Sequence, residues 1–133
     1  MSLREGDLGR FATVPIALML ATLTDRREFG DDWLLERKFD GERCIARKDD
    51  DQVRLQSRTA KDLTGTYPEV HAAVAAQRHR KLLLDGEVVA FDGDQTSFTR
   101  LQQRLGVTNP SAERMAAYPV VFCVFDLLEL DDE

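Results

Sequence analysis

From Trp33 onward, apolar and polar positions fall into short, separable periods. Trp33 to Lys38 predicts a strand, Phe39-Asp40-Gly41-Glu42 a turn, and Arg43 to Lys48 the antiparallel partner of that strand. Asp49-Asp50-Asp51-Gln52 predicts a second turn, followed by a strand over Val53 to Ser57. Three consecutive aspartates raise the idea of a metal site, but their place at a hairpin tip favours a solvated turn. The period then lengthens to that of a helix, with Val70, Ala73, Val74 and Gln77 forming an i, i+3, i+4, i+7 stripe. Thr66 and Glu69 predict a capping box for this helix, and Pro68 suits its first turn, where a missing N–H costs nothing. Lys81 to Phe91 predicts a long, mostly apolar strand ending in the Asp92-Gly93-Asp94 turn. Ser97 can cap a helix carrying Phe98, Leu101 and Leu105 on one side and closed by Gly106. Beyond a loop and a short helix, Val120 to Leu128 is nearly continuous apolar sequence, the pattern of a strand covered on both faces.

Residues 1–30 lack this order and are expected to form an irregular lead-in segment around the apolar patch Val14 to Leu20, with one structural unit over 31–133. Hairpins and isolated helices alternate without a regular βαβ rhythm. The expected fold class is therefore α+β, with mixed or antiparallel sheets flanked by helices.

Composition narrows the function classes. The 133 residues are 43% hydrophobic and 32% charged, an ordinary globular balance. The longest apolar run, Pro119 to Phe125, is far too short to cross a bilayer, and no basic-then-apolar leader opens the chain. Neither a membrane partner nor secretion is expected. Cys44 and Cys123 are too far apart for a zinc cluster and fit two free thiols in a reducing cytoplasm. His71 and His79 lack metal-ligand spacing and are expected at the surface. The net charge of −6 comes almost wholly from the second half of the chain. Tight non-specific nucleic-acid binding is not expected of such a chain, because that binding comes from cations neutralising phosphates.

Three clusters carry candidate chemistry. In Glu36-Arg37-Lys38-Phe39-Asp40-Gly41-Glu42-Arg43, alternate side chains of an extended strand put Glu36 and Lys38 on one face. Gly41 lets the chain reverse tightly and Arg43 returns near Lys38. A lysine crowded by arginines is pushed toward its neutral, nucleophilic form. A surface hairpin of mixed charge is the competing reading, and composition alone favours it. Arg58, at the end of the third strand, is available to a phosphate or ribose. Asp85 and Glu87 sit at i, i+2 inside an apolar strand and need cations, hydroxyls or a metal beside them, or else form structural salt bridges. Phe125 lies within the last apolar strand, where core packing is the usual fate of such a side chain.

Taken together, these residues resemble a known family. Lys38-Phe39-Asp40-Gly41-Glu42-Arg43 matches the K-x-D-G-x-R motif of covalent nucleotidyltransferases. Ser57-Arg58 is similar to motif Ia, Asp85-Gly86-Glu87 to motif III, and Phe122 to Leu128 to motif IIIa, in the order found in ATP-dependent DNA ligases. Ser57-Arg58-Thr59 and Tyr67-Pro68-Glu69 look most like bacterial ligases of the non-homologous end-joining type. The resemblance implies a partial covalent-nucleotidyltransferase domain, ATP-grasp-like in fold, that acts in DNA repair and recombination. It implies ATP and Mg²⁺ (or Mn²⁺) as cofactors and nicked or broken double-stranded DNA as partner. Lys38 would attack the α-phosphate of ATP. Glu36 would read the adenine amino group, Arg43 would contact phosphate or ribose, and Arg58 the ribose or a DNA phosphate. Glu87 would hold the ribose hydroxyls and support a metal ion, Phe125 would stack on the purine, and Asp40 would brace the turn. An mRNA capping enzyme or RNA ligase, and a non-catalytic nucleotide-binding or interaction module, remain as alternatives.

The family's motif IV carboxylate, motif V K-x-K pair and OB-fold domain have no counterpart after Asp126. Residues 31–133 are thus expected to be the N-terminal part of an adenylation domain, a fragment of a longer chain. Unpaired strand edges in such a fragment are expected to promote self-association.

Overall fold

The computed structural model describes residues 38–131, together with Leu18, Gly30 and Asp31. The expected lead-in segment, the strand from Trp33 and the side chain of Glu36 lie outside the described residues. Nine elements follow: β1 (Glu42–Asp49), β2 (Gln52–Gln56), α1 (Pro68–Ala75), β3 (Lys81–Val89), β4 (Phe91–Asp92), β5 (Gln95–Thr96), α2 (Phe98–Leu101), α3 (Ala112–Ala117) and β6 (Val121–Leu130). Four strands form one antiparallel sheet in the order β2-β1-β3-β6, and β4 and β5 form a small separate hairpin. The α+β class with an antiparallel sheet is borne out.

The local expectations hold in part. β1 and β2 meet through the aspartate turn, with Asp49 opposite Gln52 and Asp50 in the left-handed region at φ 55°, which a short polar side chain tolerates. Asp50 Oδ1 accepts from Arg80 Nε at 2.7 Å, so the turn is ion-paired at the surface. The pairing expected between Trp33–Lys38 and Arg43–Lys48 is not available over Ile45–Asp49, because both edges of β1 there are taken, by β2 and by β3. Over that stretch β1 pairs instead with the local β2 on one edge and the long-range β3 on the other.

Side chains of one parity on β1 and β3 face the helices. Cys44, Ala46, Leu55, Leu63, Tyr67, Val70, Val74, Val88, Ala90 and Leu101 form the core on that side. Each large apolar member removed from water contributes roughly 1.5–3 kcal/mol. Lys48, on the same face, is buried and donates from Nζ to the carbonyls of Ala75 and Gln77, closing the C-terminus of α1. α2 begins as expected, with Ser97 Oγ accepting from the Arg100 N–H, and Ser111 caps α3 in the same way.

The expected capping box at α1 does not form. Tyr67 occupies the N-cap position without a side-chain cap, and Glu69 is drawn away to the fully buried Arg104. Arg104 Nη2 reaches Glu69 Oε1 at 2.5 Å and Nη1 donates to Tyr118 O at 2.8 Å. A guanidinium inside the protein needs a counter-charge more than a helix end needs a reciprocal cap, since the helix N–H groups have other acceptors.

β6 also departs from expectation. It lies at the end of the sheet, and among the described residues Val121, Val124, Phe125, Leu127 and Leu128 are exposed rather than covered on both faces. Its pairing with β3 skips Phe125 and Leu128, giving two bulges within ten residues. Asp131 ties the strand's end to β3, with Oδ1 accepting from the backbone N–H groups of Arg80 and Lys81. Gly86 sits where β6 passes closest, and a Cβ there would collide with the Cys123 carbonyl and the Phe122 ring.

Removing one partner of the Arg104–Glu69 pair tests this account. Arg104→Ala leaves a cavity and a half-buried, unpaired Glu69, and is expected to cost roughly 3–5 kcal/mol. Urea unfolding of the variant against the parent measures the loss. A cost below about 1 kcal/mol would show that Arg104 is dispensable to the core.

Candidate active site

Arg43, Glu87 and Phe125 gather on the sheet face opposite the helices. In the β1–β3 register Arg43 stands opposite Glu87 and Ile45 opposite Asp85, so the four side chains share a face. Arg43 takes the diagonal partner: Nε donates to Asp85 Oδ1 at 2.7 Å and Nη2 to Oδ2 at 2.6 Å. This two-point fork is the strong form of an Arg–carboxylate pair. Asp85, almost fully buried, holds the Arg43 guanidinium even more firmly charged than usual. The ion-pair reading of Asp85 is thus met, with Arg43 as the cation.

The bulge in β6 brings Phe125 to the same place. The Arg43 guanidinium carbon lies 4.8 Å from the centroid of the Phe125 ring. Phe125 has no ladder partner and is 38% exposed, so it is an aromatic surface beside the charges rather than a core residue.

Glu87 is left without the fork. Partial burial pushes its carboxyl above the ordinary range. Arg43 and Lys38 oppose that shift, while Asp40 and Asp85 reinforce it. Lys38 is exposed, and its ammonium is close enough to be felt at Glu87. The lysine-bearing segment runs into β1 through Gly41, where a Cβ would strike the Val88 carbonyl and Val89. Only glycine lets residues 38–42 lie this close to β3. The Asp40 backbone N–H donates to Thr96 Oγ1 at 3.4 Å.

Beside this face, at the open end of β1 where β2 has turned away, lies a cavity of about 680 Å³. Arg43, Arg58, Lys61, Glu42 and Glu87 supply its charges, and Phe98 and Leu105 its apolar wall. Arg58 is presented by a tight turn in which Ser57 Oγ accepts from the Thr59 and Lys61 N–H groups. Lys61 was missed by sequence reasoning; its signal was a second cation three positions after Arg58, within reach across one turn. Glu42 was quoted only as a motif letter, and nothing in its neighbours marks it. Glu36 lies outside the described residues, so its side chain cannot be set against this cavity. Among the described residues no group of three or more His, Cys, Asp or Glu converges in metal-ligating fashion. A second groove of about 650 Å³, between α1 and the other face of β3 and β6, is apolar, lined by Val70, Val74, Leu84, Phe122, Val124 and Leu127.

Residues 18–133 match the family model described as the ATP dependent DNA ligase domain. The chain belongs to this family. A probable DNA ligase of Koribacter versatilis is 39% identical over 120 residues, which is 86% of this chain but 20% of that protein. DNA ligase C of Mycobacterium tuberculosis is 36% identical over 99 residues, 74% of this chain and 28% of that protein. The bifunctional non-homologous end joining protein LigD of Bacillus subtilis is 37% identical over 123 residues, 86% of this chain and 20% of that protein. Among solved structures, the ligase domain of M. tuberculosis LigD superposes with a TM-score of 0.57 at 35% identity, covering 74% of this chain and 30% of that one. A mycobacterial DNA ligase D described as complexed with ATP and MES gives a TM-score of 0.56. The chain spans between about a fifth and a third of the proteins it matches. The resemblance read from four short motifs is borne out at the level of family and fold.

The raised Glu87 carboxyl has a measurable consequence. The folded state holds this proton more tightly than the unfolded chain, so stability falls as pH rises from near 4.5, the ordinary glutamate value, through the folded value. Glu87→Gln removes that dependence. The variant is expected to gain stability relative to the parent between pH 4 and pH 7, as read by denaturant midpoints across that range. An unchanged difference at both ends would mean that Glu87 is solvated like any surface carboxylate.

Proposed function

We propose that this chain is the nucleophile-bearing part of an ATP-dependent DNA ligase adenylation domain, acting on nicked or broken double-stranded DNA. The observation that carries the reading is the convergence of Arg43, Asp85, Glu87 and Phe125 beside the Lys38 segment in a member of the ligase family. The relative named as a bifunctional non-homologous end joining protein supports a repair role. Two free thiols support a reducing, cytoplasmic setting, and no helix among the described residues is long and apolar enough to cross a membrane.

In the proposed reaction the neutral Lys38 amine attacks the α-phosphorus of ATP. The N–P bond forms, the bond to the bridging oxygen breaks, and pyrophosphate leaves with that electron pair while the amine loses a proton. The resulting Lys–AMP passes its adenylyl group to a DNA 5′-phosphate. The adjoining 3′-hydroxyl then attacks and AMP departs. The chain's own residues supply position and charge. Arg43, set by Asp85, and Arg58 meet phosphate or ribose, and Lys61 adds a third cation to the same cavity. Glu87 takes the ribose hydroxyls, Glu36 the adenine amino group, and the exposed Phe125 ring one face of the purine, a stacking contact of about 1–3 kcal/mol. Glu87, whose carboxylate is crowded by Asp40 and Asp85, would gain from a divalent cation beside it. When bound, Mg²⁺ or Mn²⁺ would neutralise phosphate charge. Lys48, buried and engaged with two carbonyls, is unsuited to compete as nucleophile.

Incubation of the full-length protein with ATP and Mg²⁺ is expected to add one AMP at Lys38, mapped by peptide mass, with GTP giving none and Lys38→Ala abolishing the adduct. Preferential labelling by GTP would move the protein to the capping class. An adduct on Lys61 or Lys81 would remove the assignment.

We also propose that the 133-residue chain by itself self-associates through β6. Its place at the end of the described sheet and its exposed Val121, Val124, Leu127 and Leu128 support this. Sedimentation is expected to give a mass that rises with concentration; a monomer at all concentrations would refute it.

A further inference from the structure

The lysine-bearing segment is held at a third point, and that point leads away from the nucleotide cavity into the core. Gly41 packs against β3 and the Asp40 N–H meets Thr96. The third anchor is Glu42, whose Oε1 accepts from the Tyr67 hydroxyl at 2.7 Å. Tyr67 is fully buried and its ring lies under the Arg104 guanidinium, 5.9 Å from centroid to carbon. Arg104 in turn fastens Glu69 at the start of α1 and the Tyr118 carbonyl ahead of β6.

Resting on the ligase reading above, we propose that Tyr67, acting through Glu42, is a positioning residue that fixes residues 38–42 so that the Lys38 amine addresses the α-phosphate. The geometry gives the pair this role for three reasons. Glu42 is the first residue of β1 and stands four positions from Lys38, so its side chain sets where the free segment ends and the sheet begins. Glu42 also lines the cavity, so its carboxylate would be drawn toward Arg43, Arg58 or Lys61 were it not held. Tyr67 is immobile, because its ring is enclosed by the core and its hydroxyl has one acceptor. Burial and the adjacent carboxylate push the phenol well above its ordinary value, so it stays a donor throughout the working range of pH. A hydrogen bond from a fixed phenol to a charged carboxylate is among the stronger neutral-to-ion contacts.

The test compares Tyr67→Phe, Glu42→Ala, Glu42→Gln and the Tyr67→Phe/Glu42→Ala pair in the full-length protein, by single-turnover Lys38–AMP formation over a range of ATP concentrations. Tyr67→Phe keeps the ring and its packing, so the fold is expected to persist. It should slow AMP transfer about tenfold while the half-saturating ATP concentration changes less than about twofold. Glu42→Ala should match it, the double variant should be no slower than either single one, and Glu42→Gln, whose amide oxygen still accepts from Tyr67, should recover most of the rate. Amide hydrogen exchange at residues 39–42 should rise in Tyr67→Phe while the rest of β1 stays protected. Tyr67→Phe at the parental rate, losses that multiply in the double variant, or a tenfold rise in half-saturating ATP would overturn the proposal and leave the ligase reading standing. A parent protein that takes no AMP at Lys38 refutes that reading and the positioning role together.

Discussion

The bidentate pair between Arg43 and Asp85 is the interaction on which the site face depends. It crosses from β1 to β3, and each member would be costly alone: Asp85 is nearly enclosed and Arg43 is mostly so. Joined, they fix the register of the two central strands at the end where the lysine-bearing segment enters. They also hold a planar guanidinium at the height of the Phe125 ring, and they leave Glu87 outside the two-point fork. One ion pair therefore sets the places of two neighbours, the Phe125 ring and the Glu87 carboxyl. The same bonds that make Arg43 a scaffold also orient its remaining edge, so in the proposed reaction a phosphate would meet a cation that has already lost its freedom.

Much of this was legible in the chain. The motif Lys38–Arg43, the alternate acids Asp85 and Glu87, and the aromatic at 125 identified the family and pointed to the face on which they meet, because strand parity alone puts Asp85 and Glu87 on one side. The hairpin tip at Asp50 and the cap at Ser97 followed from local chemistry that needs no tertiary partner. Two of the misses were long-range. That β1 would pair with β3, and that Glu69 would leave a helix cap for Arg104, depends on partners 32 or more positions away. Arg104 itself gave no sign, since an arginine between Gln103 and Leu105 reads as a surface side chain until the fold closes over it.

Two buried cations divide the labour of the core. Lys48 closes the C-terminus of α1 and Arg104 anchors its start, so a helix of eight residues is pinned at both ends by side chains from other elements. A helix this short has little stability of its own. Its rigidity, and with it the fixed position of Tyr67, is supplied by tertiary contacts.

The bulges in β6 carry a consequence for how this protein behaves when crowded. Two of the ten residues, Phe125 and Leu128, fall out of step with the ladder, and each displacement adds local twist. A foreign strand laid along this edge would find its donors and acceptors in phase for only a few residues at a time. Long, flat, in-register stacking of the kind that builds fibrils needs an unbroken repeat, and the irregularity that aims an aromatic ring at Arg43 breaks that repeat. The strand most exposed to greasy encounters is thus also the one least able to template an ordered aggregate.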